Sequence, residues 1–412
     1  MINLELSEAH AAAEKNLREF AKNLFRPISR KYDTLEHTVP AELAVMDRRP
    51  PRPTPEQIAV ALKAYADNPP PVVEKKERKK PDSVQNGSNI GSVISVMQMC
   101  WGDVGLMLSM PGAGLGNAAI AAVATPEQKI RFGHVYAGMA ITEPSTGSDS
   151  GAITTTARLD GDEWVLNGEK IFITAGGRCD SVVVWATVDK SKGKAAIKSF
   201  VVFKGTPGME VVKLEHKLGI RASDTATILL SNCRIPKNNI LGSAEVHDGD
   251  KRAAFGQVMQ TFDNTRPAVA SMAVGCSRAA LDLTQELLKK EGIEEDLSKP
   301  LWEMSALQAE LVRMEADWEA ARLLILRAAW MADNGEPNSL EASMCKAKAG
   351  RVGNYITLRC VELCGSVGYG ETELLEKWAR DSKILDIFEG TQQIQQLIVA
   401  RRILNLSSAQ LK

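Results

Sequence analysis

Neither sign of charge dominates this sequence: 50 lysines and arginines stand against 51 aspartates and glutamates over 412 residues. With no net field, the chain lacks the electrostatic signature of a protein that binds nucleic acid or an anionic membrane surface. It also lacks long apolar runs. No segment approaches the roughly 18 apolar residues of a membrane span, and the opening Met1-Ile2-Asn3-Leu4-Glu5-Leu6-Ser7-Glu8 carries acids, not the basic and apolar regions of a signal peptide. The five histidines are dispersed, and the seven cysteines are odd in number and scattered, with only Cys360 and Cys364 close together. That pattern argues against a disulfide framework and for small buried thiols in a reduced compartment, with no cluster of metal ligands. The expectation is a soluble, cytoplasmic protein without a metal site.

The length is enough for two or three domains, and the texture of the chain changes twice. Residues 1–135 carry helical patterns at Ala11–Leu24, Pro55–Tyr65 and Ser92–Ser109. Between the last two lies a linker-like stretch, 67–89, with Pro69-Pro70-Pro71 and a basic run, 75–80, whose ordinary role is a solvated loop. Residues 136–245 turn strand-like. Segments rich in β-branched and aromatic residues occur at Ser181–Val188, Ser199–Phe203, Glu210–Leu214 and Ala226–Leu230, and Asn167-Gly168 between Glu163–Val165 and Lys170–Thr174 reads as a hairpin turn. From 246 to 412 long helical patterns return at Ala268–Lys290, Trp302–Asp333, Ser339–Cys364 and Ile394–Asn405. The order predicts an α+β multidomain fold: an N-terminal helical domain, a middle antiparallel β domain and a C-terminal domain like a four-helix bundle.

One stretch carries chemistry in its own right. In Asp386-Ile387-Phe388-Glu389-Gly390-Thr391-Gln392-Gln393-Ile394, Gly390 breaks the pattern, Thr391 is a good N-cap, and Ile394, Leu397 and Ile398 then recur at helical spacing. Glu389 therefore sits on a bend entering a helix N-terminus, where backbone N–H groups lack intrahelical partners and can hold an anion or a polar cofactor edge. The apolar Phe388 beside it raises the cost of the charged carboxylate, as a general base requires. The same residues also fit an ordinary surface glutamate before a capped helix.

The residues Ala140 to Asp149 (AITEPSTGSD), Leu166 to Thr174 (LNGEKIFIT), Lys217 to Thr225 (KLGIRASDT), Phe262 to Pro267 (FDNTRP) and Phe388 to Arg401 together resemble the acyl-CoA dehydrogenase family, in order, from about residue 90 to the C-terminus. The resemblance implies FAD bound between the β domain and the C-terminal helices, with an acyl thioester against the flavin. Glu389 would take the α-proton while the β-hydrogen leaves as hydride to flavin N5. The base's own N–H and a flavin hydroxyl would stabilise the enolate, each donor being worth about 3–4 kcal/mol. Electrons would pass to an electron-transfer flavoprotein.

By the same resemblance, Met139, Ile141, Thr142, Gly147 and Ser148 approach the flavin, Phe172 packs on it and Thr174 hydrogen-bonds it, with Thr391 and Gln393 contributing from the C-terminal helix. Ser148, Asp263, Thr265, Arg266 and Gly390 fall where the acyl-CoA lies. Some members place the base at the position of Thr265, which cannot serve, so Glu389 is the remaining candidate. Arg266 fits equally a structural ion pair. Two alternatives stay open: an oxidase or flavin monooxygenase on the same fold, and a non-catalytic partner subunit.

The sequence departs from the family pattern in three places. Many members carry Arg-x-x-Phe-Gly after the first long C-terminal helix, reaching the FAD pyrophosphate of a neighbouring subunit. Here the stretch Lys289 to Pro300 (KKEGIEEDLSKP), acidic through Glu291, Glu294, Glu295 and Asp296, stands there instead, and like charges repel. A Gly-Gly-x-Gly turn reads Gly365-Ser366-Val367-Gly368, and the Pro- and Lys-rich stretch replaces a Gly-rich loop that lines the acyl pocket. The expectation is therefore either a homo-oligomer (dimer or tetramer) or a hetero-oligomer in which a related subunit supplies the arginine.

Overall fold

The computed structural model describes residues 6–47, 49, 51–69, 87–112, 114–246, 255–294, 296, 298–407 and 410, with backbone only for 255–264. The basic run 75–80 lies outside the described residues.

The N-terminal part is helical: α1 (Glu8–Phe20), α2 (Arg26–Thr34), α3 (Ala41–Ala44), α4 (Pro55–Asp67), α5 (Ser88–Gly102), α6 (Val104–Leu108), α7 (Leu115–Val123) and α8 (Pro126–Phe132). The helix starts follow capping chemistry. Thr54 and Thr125 each precede a proline at the first helical position, and each pairs with a glutamine three residues on in a reciprocal capping box. The expectation that the third helical pattern of this region runs unbroken from Ser92 to Ser109 is corrected: Asp103, extended and capping Leu106 N–H, divides α5 from α6.

The middle part is an eight-stranded sheet: β1 (Ala137–Ala140), β2 (Thr156–Asp160), β3 (Glu163–Thr174), β4 (Ser181–Thr187), β5 (Ile197–Phe203), β6 (Met209–Leu214), β7 (Thr225–Pro236) and β8 (Ile240–Leu241). Its order is β6-β7-β3-β2-β4-β5-β8, with β1 alongside β4. The pairing is largely antiparallel, but β1 runs parallel to β4. One turn expectation is overturned. Asn167-Gly168 is no hairpin: β3 runs straight through it, and the β2–β3 turn falls at Gly161-Asp162. At Gly168 the register against β7 shifts, and a Cβ there would come within 2.4 Å of Thr155 Oγ1. The dipeptide's tolerance for positive φ serves a bulge, a different use of the same chemistry.

The C-terminal part comprises α9 (Phe255–Lys290), α10 (Ala306–Asp333), α11 (Ser339–Leu363), α12 (Gly365–Tyr369), α13 (Leu375–Ile384) and α14 (Gln392–Leu404). α10 starts four residues later than its apolar pattern indicates, because Ser305 caps it with Gln308 and leaves Trp302 in solvent. The largest core cluster unites this part with α5. Ile90, Val93, Ile94 and Met97 pack with Ala273, Val274, Leu311, Met314 and Ile325, and Gly275 passes so close to α5 that a Cβ would lie 2.2 Å from the Met97 carbonyl.

A buried charged knot ties all three parts together. Lys377 Nζ, on α13, bonds Asp103 Oδ2 at 2.6 Å and Asp381 Oδ2 at 2.6 Å; Ser29 Oγ also donates to Asp103, and Ile220 N–H donates to Asp381 Oδ1 at 2.5 Å. Lys377 and both carboxylates are essentially without solvent contact.

Candidate active site

The base corner forms where α13 ends. Glu389 and Gly390 are both left-handed, with φ of 56° and 91°, and turn the chain sharply into α14. The conformation is costly for a glutamate, and such strain is held only by surrounding contacts. Two buried side chains hold it. Gln395 Nε2 donates to the Glu389 carbonyl at 3.0 Å and to the Gly390 carbonyl at 3.3 Å, and Lys346 Nζ, from α11, donates to the Gly390 carbonyl at 2.8 Å. Thr391 caps α14 by accepting from Ile394 N–H.

The carboxyl end of Glu389 meets α9. Thr265 Oγ1 donates to Glu389 Oε2 at 3.0 Å, so the threonine orients the glutamate carboxylate. Burial raises the Glu389 carboxyl above its ordinary value; the Thr265 hydrogen bond and the Arg266 and Lys346 cations pull the other way without cancelling it. Among the described residues no acceptor takes the Glu389 N–H. In α9, Pro267 follows Arg266 inside the helix and so cannot bond back to the Asp263 carbonyl. The Asp263 side chain lies outside the described residues, and Arg266 is buried.

The sheet supplies a second wall. Phe172 has φ 58° within β3, at a shift of register between Lys170 and Ile173, and its ring is 61% exposed. The bulge turns the ring outward, away from the core of the sheet. Thr174 follows, partly buried and paired with Thr225. Thr142 lies next to this bulge, because Ile171 N–H donates to the Thr142 carbonyl at 2.9 Å, while Gly147 and Ser148 are exposed on the same loop. Met139 and Ile141 are partly buried and pack against the core beneath. Gln393 is exposed on α14.

Under the loop sits a buried cage. Glu143 accepts from Lys170 Nζ at 2.7 Å, from the N–H and hydroxyl of Thr154 at 2.6 and 2.7 Å, and from those of Thr155 at 2.9 and 2.5 Å. Lys170 also holds the Ile141 carbonyl at 3.1 Å. Burial opposes both charges and pulls Lys170 down to about 8, yet the donors around Glu143 outweigh its own burial and hold it at about 2. Both groups are thus charged at neutral pH.

The Glu143 contribution to stability is full above its unfolded value of 4.5 and disappears as pH falls through about 2. Glu143→Ala, which leaves Lys170 buried and unpaired, is expected to cost about 3 kcal/mol in urea unfolding and to flatten the acid slope of stability. An unchanged slope in this variant would remove the cage from the account.

Several of these residues were not assigned from sequence. Glu143 and Lys170 stand inside the 140–149 and 166–174 motifs without a role of their own, and Gln395, two residues beyond Gln393, carries none either. Lys346 is one of several cations on its helix, with Lys348 and Arg351 close by, and nothing in the sequence marks it as the buried one. The histidines, dispersed in sequence, partly converge in space: His216 Nδ1 lies 2.8 Å from Glu36 Oε2, with the His37 ring 5.2 Å from that of His216.

Two family models match this architecture. The C-terminal domain of acyl-CoA dehydrogenase matches residues 255–404, and the middle domain matches residues 138–233. The chain belongs to the acyl-CoA dehydrogenase family. It is 34% identical to the short-chain specific acyl-CoA dehydrogenase of Bos taurus mitochondria, over 98% of this chain and 92% of that protein. It is 35% identical to the acryloyl-CoA reductase (NADH) of Anaerotignum propionicum, over 69% and 72%. Among solved structures, butyryl-CoA dehydrogenase from Megasphaera elsdenii superposes with a TM-score of 0.75 at 27% identity, covering 98% of this chain and 100% of that one. A chain from a structure titled for the electron transferring flavoprotein of Acidaminococcus fermentans gives 0.76 at 29%, with the same coverage.

An acyl-CoA dehydrogenase is an FAD-dependent oxidoreductase, and the residues fit that cofactor. An aromatic ring turned out of its sheet at a left-handed residue is a surface for a planar heterocycle, and the adjoining loop carries the exposed Gly147 and Ser148 where backbone and hydroxyl can approach one. None of the helices, over the described residues, is long and apolar enough to cross a membrane.

Proposed function

We propose that this acyl-CoA dehydrogenase converts an acyl-CoA thioester to the trans-2-enoyl thioester, with Glu389 as the base. The observation that carries the reading is the base corner, where a carboxyl raised by burial lies against Thr265, on a backbone locked by Gln395 and Lys346. Glu389 takes the α-proton onto its carboxylate, and its N–H donates to the thioester carbonyl as negative charge gathers there. Thr265 keeps the carboxylate aimed, and Arg266 favours its ionised form before the proton moves. FAD, when bound, supplies the acceptor for the β-hydrogen. Thr142, Ser148, Phe172, Thr174 and Thr391 hold it, and the Asp263–Thr265–Arg266 segment with Ser148 and Gly390 takes the acyl-CoA.

The names of the relatives support a short acyl group and an electron-transfer flavoprotein as acceptor, and the buried thiols agree with the cytoplasm. For the assembly, the acidic segment favours a partner subunit that supplies the missing arginine. Lys289, Lys290 and Lys299 are each engaged by carboxylates of their own neighbourhood, Glu294, Glu286 and Asp296. Tyr355 and Leu358 of α11 and Val367 and Tyr369 of α12 are exposed and offer a contact face.

The test is anaerobic bleaching of the flavin by short, branched, aromatic and steroid-like CoA esters, followed by aerobic peroxide assay. Bleaching without peroxide supports the dehydrogenase. A yellow protein that no CoA ester bleaches would refute it, and stoichiometric peroxide would make it an oxidase. A chain that, expressed alone, forms a stable homo-oligomer with full FAD would remove the second subunit.

A further inference from the structure

The base corner contains a cation that the reaction as described does not require. Lys346 is 1% exposed, in the middle of α11, and spends an ammonium on a single backbone carbonyl. A buried lysine is expensive, and Gln395 already bonds that carbonyl, so holding the corner does not by itself call for a charge. The groups facing the site come from three elements: Thr265 and Arg266 of α9, Lys346 of α11, and Asp386 and Glu389 of the segment between α13 and α14. α11 is held tightly against that segment. One turn beyond Lys346, a Cβ on Gly350 would lie 3.0 Å from Asp386 Oδ1 and 3.2 Å from the Asp386 Cα. The ammonium is thus carried on a helix that packs directly against the segment it bonds.

We propose that Lys346 is a positioning residue for Glu389: it pins the Gly390 carbonyl, and so the left-handed Glu389-Gly390 pair, and supplies the fixed positive charge beside which the carboxylate works. The inference rests on the reading of Glu389 as base. It separates two jobs that Gln395 and Lys346 share at one carbonyl. Gln395 contributes position alone, whereas Lys346 contributes position and charge. Burial draws the Lys346 ammonium down to about 8, with Asp386 and Glu389 resisting and Arg266 assisting, so the charge is present at neutral pH and fades above about 8.

The division is measurable in the pH profile of kcat/KM on the FAD-loaded protein, with flavin absorbance and thermal melting recorded for every variant. Lys346→Met, which keeps the stem and removes the charge, should move the acid limb to higher pH by about one unit and lower the rate at neutral pH about tenfold. Lys346→Arg, which keeps the charge, should leave the limb in place even where the longer side chain lowers kcat. Gln395→Leu should lower kcat and leave the limb unmoved.

An unmoved limb in Lys346→Met, or the same displacement in Lys346→Arg and Gln395→Leu, would overturn the proposal. Should Lys346→Met lose its flavin, the comparison of Lys346→Arg with Gln395→Leu decides: a displaced limb in the arginine variant overturns it, and a limb held in both supports it. Glu389→Gln, run in parallel, keeps the two readings apart. If that variant still turns over, the base reading fails; if it is dead and the Lys346 limb does not move, only the Lys346 inference fails.

Discussion

Glu389→Gln is expected to lose about 10³-fold in the rate of anaerobic flavin bleaching while keeping its FAD and its affinity for the thioester. The substitution is close to isosteric, and the amide oxygen can still accept from Thr265, so the left-handed corner and its clamps at Gln395 and Lys346 have no reason to move. What is lost is the basicity of the carboxylate, since an amide oxygen accepts a hydrogen bond but does not take up a proton at neutral pH. The N–H of residue 389 remains, and with it the donor to the thioester carbonyl, so ground-state binding should persist where proton abstraction does not. Stopped-flow bleaching gives the rate, and the spectral change on adding substrate gives the affinity. A bleaching rate within about tenfold of the parent, a loss under about 1.4 kcal/mol in the barrier, would remove Glu389 from the role of base.

The second large effect concerns stability. Lys377→Met should destabilise the chain by about 3–5 kcal/mol, because it strands Asp103 and Asp381 together in the interior. The aspartates, with Lys377 between them, belong to α13 and to the α5–α6 junction, and Ile220 of the β part donates into the same knot, so the loss should spread over all three regions. Burial already pushes Asp381 above its ordinary value, with Lys377 as the largest opposing influence. Without the lysine one of the two acids should bind a proton in the folded state. A folded-state value above the unfolded one gives stability that is present at low pH and is lost as pH rises through the folded value. The deficit of the variant should therefore shrink on acidification, which urea titrations at neutral and mildly acid pH can compare. A deficit that grew on acidification, or one below about 1 kcal/mol, would be incompatible with a load-sharing knot.

Much of the architecture follows from periodicity and caps, and the exceptions have identifiable causes. The long helices were legible because their apolar residues recur at helical spacing over many turns, and α10 was misplaced only at its start, where Ser305 outranks the apolar Leu301 and Trp302. Asn167-Gly168 misled because a residue free to adopt positive φ is what both a hairpin and a bulge require, and only the pairing with Thr155 and β7 distinguishes them. The parallel pairing of β1 depends on a partner, β4, some forty residues away, and leaves no trace in the alternation of either strand.

At the site, Glu389, Thr265 and Arg266 were brought together as their motifs implied. The supports were not legible. Lys346, Gln395 and the Glu143–Lys170 cage are polar residues among polar neighbours, whose partners are backbone carbonyls or residues distant along the chain, and a carbonyl has no signature in a sequence. Phe172 could be named but not oriented, since its exposure is decided by the register of β3 against β7.

The charged knot also sets an order of events during synthesis. Asp103 leaves the ribosome 274 residues ahead of the lysine that neutralises it. At about 5–20 residues per second, that interval is roughly 14–55 s. Through it, the N-terminal helices can offer Asp103 only the Ser29 hydroxyl and the Leu106 N–H, and no cation. The junction they form with α13 therefore gains its neutralising charge only once Lys377 has been made, and the segment that ends the wait is the one that turns, a few residues later, into the Glu389 corner.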